Sequence, residues 1–194
     1  MRPILSRRGL SVPAIQAFLS SQSALGFTYP NVGATAGVPP ARYNVDHSRI
    51  RLGEGEGVFR ASRAALESWA HFDLGWLEAK SFEPSIKVGG MVAVVGRSLG
   101  LWWLHACRVV YVIEEEDDAN ARFGFAYGTL PAHAESGEER FLIEWDKREG
   151  SVWYDLLAFS KPNGLLAGMG YPWLRILQRR FVRDSQAAMI RAVR

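Results

Sequence analysis

The sequence predicts an α+β fold in which a curved, seven-stranded antiparallel sheet wraps around one long C-terminal helix. Three observations predict it. From Tyr171 to Val193 the apolar residues Leu174, Leu177, Phe181, Ala188 and Ala192 fall within one arc when wound at about 100° per residue. From Arg42 to Ser160 the chain reads as strands interrupted by a single helix. The strands follow one another through short turns, which gives an antiparallel meander, and the terminal helix is the largest element available to cover one face of it.

Pro13–Leu25 has the spacing of a short helix, with Ile15, Phe18, Leu19 and Leu25 to one side. A loop dense in Gly and Pro follows, through Tyr29–Thr35 and Gly37–Pro40. Backbone with few regular partners belongs at the surface or across a pocket, and Tyr29–Thr35 is expected over the pocket mouth. Tyr43–Leu52 alternates as a strand. Gly53, Gly55 and Gly57 read as a turn, because their spacing matches no phosphate-binding loop and lacks the Lys-Ser/Thr ending. Val58–Ala70 returns to helical spacing with Val58, Ala61, Ala65 and Trp69. Six strands then succeed one another: Leu74–Lys80, Val88–Arg97, Trp102–Glu114, Arg122–Leu130, Glu138–Lys147 and Ser151–Ser160. The last two form a hairpin through Arg148-Glu149-Gly150. Within Arg122–Leu130, Phe123, Phe125 and Tyr127 share one face; Gly124, Ala126 and Gly128 present the other, where a second backbone can approach closely. Pro172 opens the final helix, since a first turn leaves its missing N–H unused.

With 194 residues, 48% of them apolar, the chain suits one domain with a real core. The net charge of +3 is mild, but the C-terminal helix holds six Arg against the single acid Asp184. Its stripe Arg175, Arg179 and Arg183 reads either as a solvated face or as a dock for an anionic partner or membrane surface. Cys107 is the only cysteine, which fits a reducing compartment. No apolar run reaches the roughly 18 residues that span a bilayer. Ser6-Arg7-Arg8-Gly9-Leu10 has something of a twin-arginine signal, but Gln16 and Ser20–Ser23 interrupt the apolar stretch after it, so a cytoplasmic location is expected.

Four stretches resemble a known family: Tyr29-Pro-Asn-Val-Gly-Ala-Thr35, Val45–Gly53, Phe123–Phe141 and Val152–Ser160. They resemble the uncharacterised family called domain of unknown function nineteen-ninety, and the likeness runs from about Phe27 to the C-terminus. That family is similar to the helix-grip superfamily of START lipid-transfer domains, Bet v 1-like proteins and polyketide cyclases. The resemblance implies the same element order and a general capacity to hold apolar ligands between sheet and helix. It implies no particular activity. On this reading residues 1–26 are an N-terminal helical extension and 27–194 a single helix-grip domain.

Several polar residues sit in strands that are otherwise apolar. Asp155 shares a face with Trp153, Leu157 and Phe159. If that set faces the hollow, its carboxyl is a general base or a ligand anchor; otherwise it makes a structural bond to Arg108 or a backbone amide. His105 and Cys107 share a face, but neighbours two apart on a strand stand roughly 6–7 Å apart, too far for a nucleophile pair to bond directly. Arg108 points the opposite way and needs a carboxylate or an anion, with Asp46, Glu144 and Asp155 as candidates. Asp46 and His47 point to opposite faces and form no dyad. His47, His105, His133 and Glu135 have no metal-ligand spacing, and neither a metal nor another cofactor is expected. Ser98 and Ser160 lack the context of a hydrolase nucleophile. Phe123, Phe125 and Tyr127, with Trp103 and Tyr111, are either a pocket wall or core. Strand-borne Lys and Arg are too sparse for a nucleic-acid face.

These residues support three readings. The first is a binding module for a hydrophobic or amphipathic small molecule, in a hollow lined by Trp103, Phe123, Phe125, Tyr127, Trp153 and Phe159, with His105, Arg108 or Asp155 orienting the polar end. The second is an enzyme of cyclase or dehydratase type on the same scaffold, with Asp155 as base and Tyr127 or His105 as acid. The third has no ligand and docks through the arginine stripe.

Overall fold

The computed structural model of the chain describes residues 4–164 and 168–194. The expected N-terminal extension and C-terminal helical tail each include a few positions, 1–3 and 165–167, that lie outside the described residues. In chain order the elements are β1 (Ile4–Ser6), α1 (Val12–Gln22), β2 (Asn44–Glu54), α2 (Gly55–Glu67), β3 (Leu77–Ser81), β4 (Met91–Ser98), β5 (Leu101–Glu116), β6 (Asn120–Thr129), β7 (Glu135–Asp146), β8 (Ser151–Pro162) and α3 (Tyr171–Ala192). The antiparallel sheet runs in the order β2-β8-β7-β6-β5-β4-β3. The strand–helix–six-strand–helix order read from the sequence is therefore the order of the molecule. Because β2 and β3 are the two edges, α2 must cross the sheet between them. Phe59, Ala65 and Leu66 of α2 accordingly join the core on the concave face.

The eighth strand was not expected. β5 is 16 residues long and pairs with β6 only from Cys107 onward. The edge of its first half is left open, and β1 fills it by pairing with Trp102–Leu104. The turn expected over Gly53–Gly57 is shorter than its composition suggested. Gly55, at φ +82°, donates its amide to the Gly150 carbonyl at 2.7 Å and begins α2 at once.

The concave face carries the main core: Phe123, Phe125 and Tyr127 of β6, Phe141 and Ile143 of β7, and Tyr154 and Leu156 of β8. Onto it α3 presses Phe181, Ser185, Ala188 and Met189, a stripe at helical spacing. Each large apolar member contributes about 1.5–3 kcal/mol through burial. Ala192, expected on this stripe, is exposed.

The convex face is covered too. α1 lays Ile15, Phe18 and Leu19 over Ala93, Val95, Leu104 and Ala106. Beside it the N-terminal loop crosses the flat Gly124/Ala126/Gly128 face. A Cβ at Gly128 would lie 2.0 Å from the Tyr29 hydroxyl oxygen and 2.9 Å from the Phe27 ring. The close approach anticipated for this face is thus made by the chain's own loop.

A register shift in β5 between Val109 and Tyr111 changes which side chains share a face. Val109 pairs with Tyr127, on the concave side, whereas Tyr111 pairs with Ala126, on the convex side. Trp103 and Tyr111, grouped as one wall by simple alternation, therefore stand on opposite faces.

Gly128→Ala is expected to lower stability by about 1–3 kcal/mol, as overpacking does. Gly57→Ala, in α2 with open space around its Cβ position, is expected to be neutral or stabilising. Chemical denaturation of the two variants checks this; equal stabilities would contradict the loop placement.

Candidate functional site

Only half of α3 closes the core. Its C-terminal half is sealed down by Phe181, Ala188 and Met189, and Ser185 meets the Tyr154 hydroxyl at 2.9 Å. Its N-terminal half, with Leu174 and Leu177 only partly buried, spans a gap instead. The gap is a cavity of about 300 Å³. Trp173, Leu174 and Leu177 line it from the helix, and Val94, Trp103 and Leu156 from the sheet. Phe72 and Trp76, after α2, complete the apolar wall. Leu5 and Trp173 line the cavity and are also exposed, which places the mouth between β1 and the first turn of α3.

Polar ties hold this half of the helix in place. Arg175 grips Asp46 of β2 with both terminal nitrogens, at 2.5 and 2.7 Å. Gln178 donates to Ser160 of β8 at 2.9 Å and to Glu135 of β7. Trp76 donates its indole N–H to Asp184 at 3.0 Å.

The inner end of the cavity is acidic. Tyr127 donates its hydroxyl to Glu139 Oε2 at 2.7 Å, and the two residues face each other in the β6–β7 register. Burial raises the Glu139 carboxyl to about 8, with the Glu135 and Asp46 charges adding to the rise and the Tyr127 bond opposing it. Burial likewise raises Glu135 to about 7, against the hydrogen bonds from Ser160 and Gln178 and the charge of Arg175. The Tyr127 hydroxyl is pushed well up, by burial first and then by Glu139. His105 and His133 stack with ring centroids 4.1 Å apart. Burial lowers His133 to about 4 and His105 well below its ordinary value, so both imidazoles are neutral. The Glu135 amide donates to His133 Nδ1 at 2.9 Å, which places that ring's proton on Nε2. The site thus offers carboxyls that exchange protons near neutral pH, beside neutral imidazoles, at the end of an apolar hollow.

Of the ligand-binding residues singled out in the sequence, Trp103, His105 and Tyr127 line this cavity, and so does Phe159, although its ring packs on the other side against Tyr29 and Tyr43. Phe123 and Phe125 share its face but lie in the solid core; the Phe125 ring packs 4.9 Å from Trp69 and 5.4 Å from Phe141. Cys107 is fully buried and burial pushes its thiol well up, which leaves it an inert core residue. Trp153, Asp155 and Phe159 do share a face, but it is the convex one. Asp155 is held by Arg140 at 2.8 Å and by His47 at 2.7 Å. Trp153 lies under Arg49, and the Phe159 ring packs against Tyr29 and Tyr43. Among the described residues Arg108 meets no carboxylate. Its Nη2 donates to the Ser23 and Leu25 carbonyls at 2.7 and 2.9 Å, where α1 ends, and so satisfies helix-terminal acceptors. Its expected partners are taken elsewhere: Asp46 by Arg175, Glu144 by Arg122, and Asp155 by Arg140.

The Tyr29–Thr35 loop lies on the convex face, away from the mouth. Glu138 fastens it, accepting from the Tyr29 hydroxyl at 2.7 Å and the Gly33 and Thr35 amides at 2.7 and 2.9 Å. The arginine stripe is not three free cations either. Arg175 is tied to Asp46 and Arg183 to Asp184, and Arg179 alone of the three has no ion pair among the described residues. No helix among the described residues is long and apolar enough to cross a membrane, and no group of His, Cys, Asp and Glu among them could hold a metal ion.

Sequence reasoning missed Glu139 and Trp173, weighed Glu135 only as a metal ligand, and placed Leu177 on the helix stripe without assigning it to the site. Glu139 had a signal: it alternates with Phe141 and Ile143, so it is an acid on a core-facing row. Glu135 had none, because Pro131–Gly137 reads as a turn and β7 in fact begins at Glu135.

Residues 28–188 match the model of a family described as a domain of unknown function, DUF1990. The chain is 39% identical over 160 residues to a UPF0548 protein of Dictyostelium discoideum, covering 79% of this chain and 74% of that one. It is 32% identical over 190 residues to a UPF0548 protein of Deinococcus radiodurans, covering 92% and 93%. Among solved structures it is similar to a hypothetical protein from Helicobacter pylori, with TM-score 0.56 and 12% identity, covering 87% of this chain and 96% of that one. At that identity the likeness is one of fold alone.

The raised carboxyls set a pH dependence. Above about pH 7 the buried His71, His105 and His133, held low by burial, are neutral in the folded chain and mostly so in the unfolded one. Between there and pH 8 the unfolded chain, with carboxyls near 4.5, has released the protons that folded Glu135 and Glu139 still hold. Stability is therefore expected to fall as pH rises through this window, by up to about 1.4 kcal/mol per pH unit for each carboxyl, and to go on falling above it as the Cys107 thiol ionises in the unfolded chain but not in the folded one. Melting temperatures across pH 6.5–9 check this. Glu139→Gln should flatten the slope, and a flat profile in the unaltered chain would contradict the site as described.

Proposed function

This chain belongs to the DUF1990 family, and from that premise we propose that it binds a hydrophobic or amphipathic small molecule in the cavity between the sheet and the N-terminal half of α3. The observation that carries the reading is the cavity itself. About 300 Å³ of apolar-walled space stands open between the sheet and α3, beside a packed aromatic core, and this is at the small end of the usual range for ligand pockets. The ligand's body would lie against Trp103, Trp173, Leu174 and Leu177. Its polar end would meet His105, Tyr127, Glu135 and Glu139. Phe123 and Phe125 would support the wall from behind. Residues 27–194 would form the binding domain and residues 1–26 an extension of it, a division that the family match over 28–188 supports.

A second reading, catalysis of cyclase or dehydratase type, is supported by the Tyr127–Glu139 pair at 2.7 Å. Glu139, raised to about 8, would then take the proton-accepting role that alternation had given to Asp155. A Glu139→Gln variant that retains a ligand but no longer converts it would favour this reading; one that converts it unchanged would exclude it.

Leu177→Trp, which fills the cavity from the helix side, is expected to weaken binding of the uncharged fluorescent probe N-phenyl-1-naphthylamine at least about tenfold. Phe123→Leu, in the core outside the cavity, should cost about 1–3 kcal/mol of stability and leave probe affinity unchanged. Fluorescence titration of the three proteins checks both. Equal affinity in Leu177→Trp and the unaltered chain would exclude this cavity as the binding site.

A further inference from the structure

The cavity has a sign. Asp46, Glu135, Glu138 and Glu139 are among its lining residues, and among the described residues no Lys or Arg is. Asp46 is neutralised by Arg175, and Glu138 is occupied by the loop on the other face. Glu135 and Glu139 remain. Each gives only one oxygen to the protein: Glu139 Oε2 to Tyr127, and Glu135 Oε1 to Ser160 and Gln178. The second oxygen of each accepts nothing among the described residues. A third acceptor points to a ligand independently. His105 is 9% exposed and lines the cavity, yet neither of its ring nitrogens is hydrogen-bonded among the described residues. These acceptors open onto the cavity, so a molecule that fills it must supply donors or leave them desolvated.

We infer that the cavity is built for an amphipathic amine, with its apolar body against the tryptophan and leucine wall and its ammonium group against Glu139 and Glu135. The inference rests on the reading that the cavity binds a small molecule, and adds the ligand's charge. An ammonium brings donors, which the open carboxyl oxygens and the unprotonated nitrogen of a neutral imidazole can accept. It also brings the positive charge that the lining lacks, and a carboxylate partnered with a cation is far cheaper to bury than one alone. A fatty acid would set a third negative group against two acids with no counter-ion. An alcohol would leave both acids uncompensated.

The test compares three ligands of one length, octylamine, octan-1-ol and octanoate, by displacement of N-phenyl-1-naphthylamine from the full chain at pH 8. Octylamine is expected to bind at least about tenfold tighter than octan-1-ol, with octanoate weakest. In Glu139→Gln, and separately in Glu135→Gln should the first variant not fold, the ratio of amine to alcohol affinity should fall towards one. The amine's advantage should also grow from pH 6 to pH 8 as Glu139 ionises. The titratable and charged groups around that carboxyl are Tyr127 on β6, Glu135 on its own strand, Tyr154 on β8, Asp46 on β2 and Cys107 on β5, with Arg175 on α3 beside Asp46. If octan-1-ol binds as tightly as octylamine, or octanoate binds best, the amine is excluded while the binding site stands. If the probe itself does not bind, the proposed function fails and the amine with it.

Discussion

A carboxylate can be buried if it is given donors or a cation, and this protein does so fully on the convex face of its sheet but leaves Glu139 short on the concave one. On the convex side Glu138 accepts from the Tyr29 and Thr35 hydroxyls and two backbone amides, and Asp155 is held between Arg140 and His47. On the concave side Glu139 receives a single phenol, and no guanidinium reaches it. The difference divides the molecule into a finished exterior and an unfinished interior. Open acceptors next to empty volume, with their protonation poised near neutrality, make the interior a place for something else to complete.

The exterior has to be finished for the interior to stay open. The convex face is sealed by chain that precedes the first long strand, with α1 on β4 and β5 and the loop on the glycine face of β6. Arg108 ties the end of α1 down through its carbonyls, and Glu138 ties the loop. With its outer face covered, the sheet keeps its curvature without help from a filled concave side. The N-terminal half of α3 can then span a gap, held at its edges by Arg175 to Asp46 and by Gln178 to β7 and β8. The cavity is where apolar packing stops and these edge contacts take over.

The fold was legible in the sequence because its two periodicities are clean. The stripe through Phe181 and Ala188 and the alternation through Phe123, Phe125 and Tyr127 need no tertiary knowledge to read. Alternation sorts residues into two sets but does not say which set looks inward. That is why Asp155, correctly grouped with Trp153 and Phe159, was placed in the hollow when it lies outside it. A reading of period two also fails at a bulge, and the shift after Val109 moved Tyr111 to the other face. Arg108 escaped prediction for another reason. Its partners are main-chain carbonyls some eighty residues away in sequence, and no charge pattern announces those. The pair that defines the site, Tyr127 with Glu139, becomes visible only once the β6–β7 register is known.

Glu138 and Glu139 are adjacent in sequence and serve opposite sides of the same strand, one securing the loop and the other facing the cavity. Substitution at either can be repaired locally. The insertion or loss of one residue within β7 cannot, because it would exchange the two sides at a stroke, turning the loop's anchor inward and the inner acid out beneath Tyr29. Relatives that keep both features should therefore vary in the composition of this strand and hold its length constant, with gaps in an alignment confined to the turns at its ends.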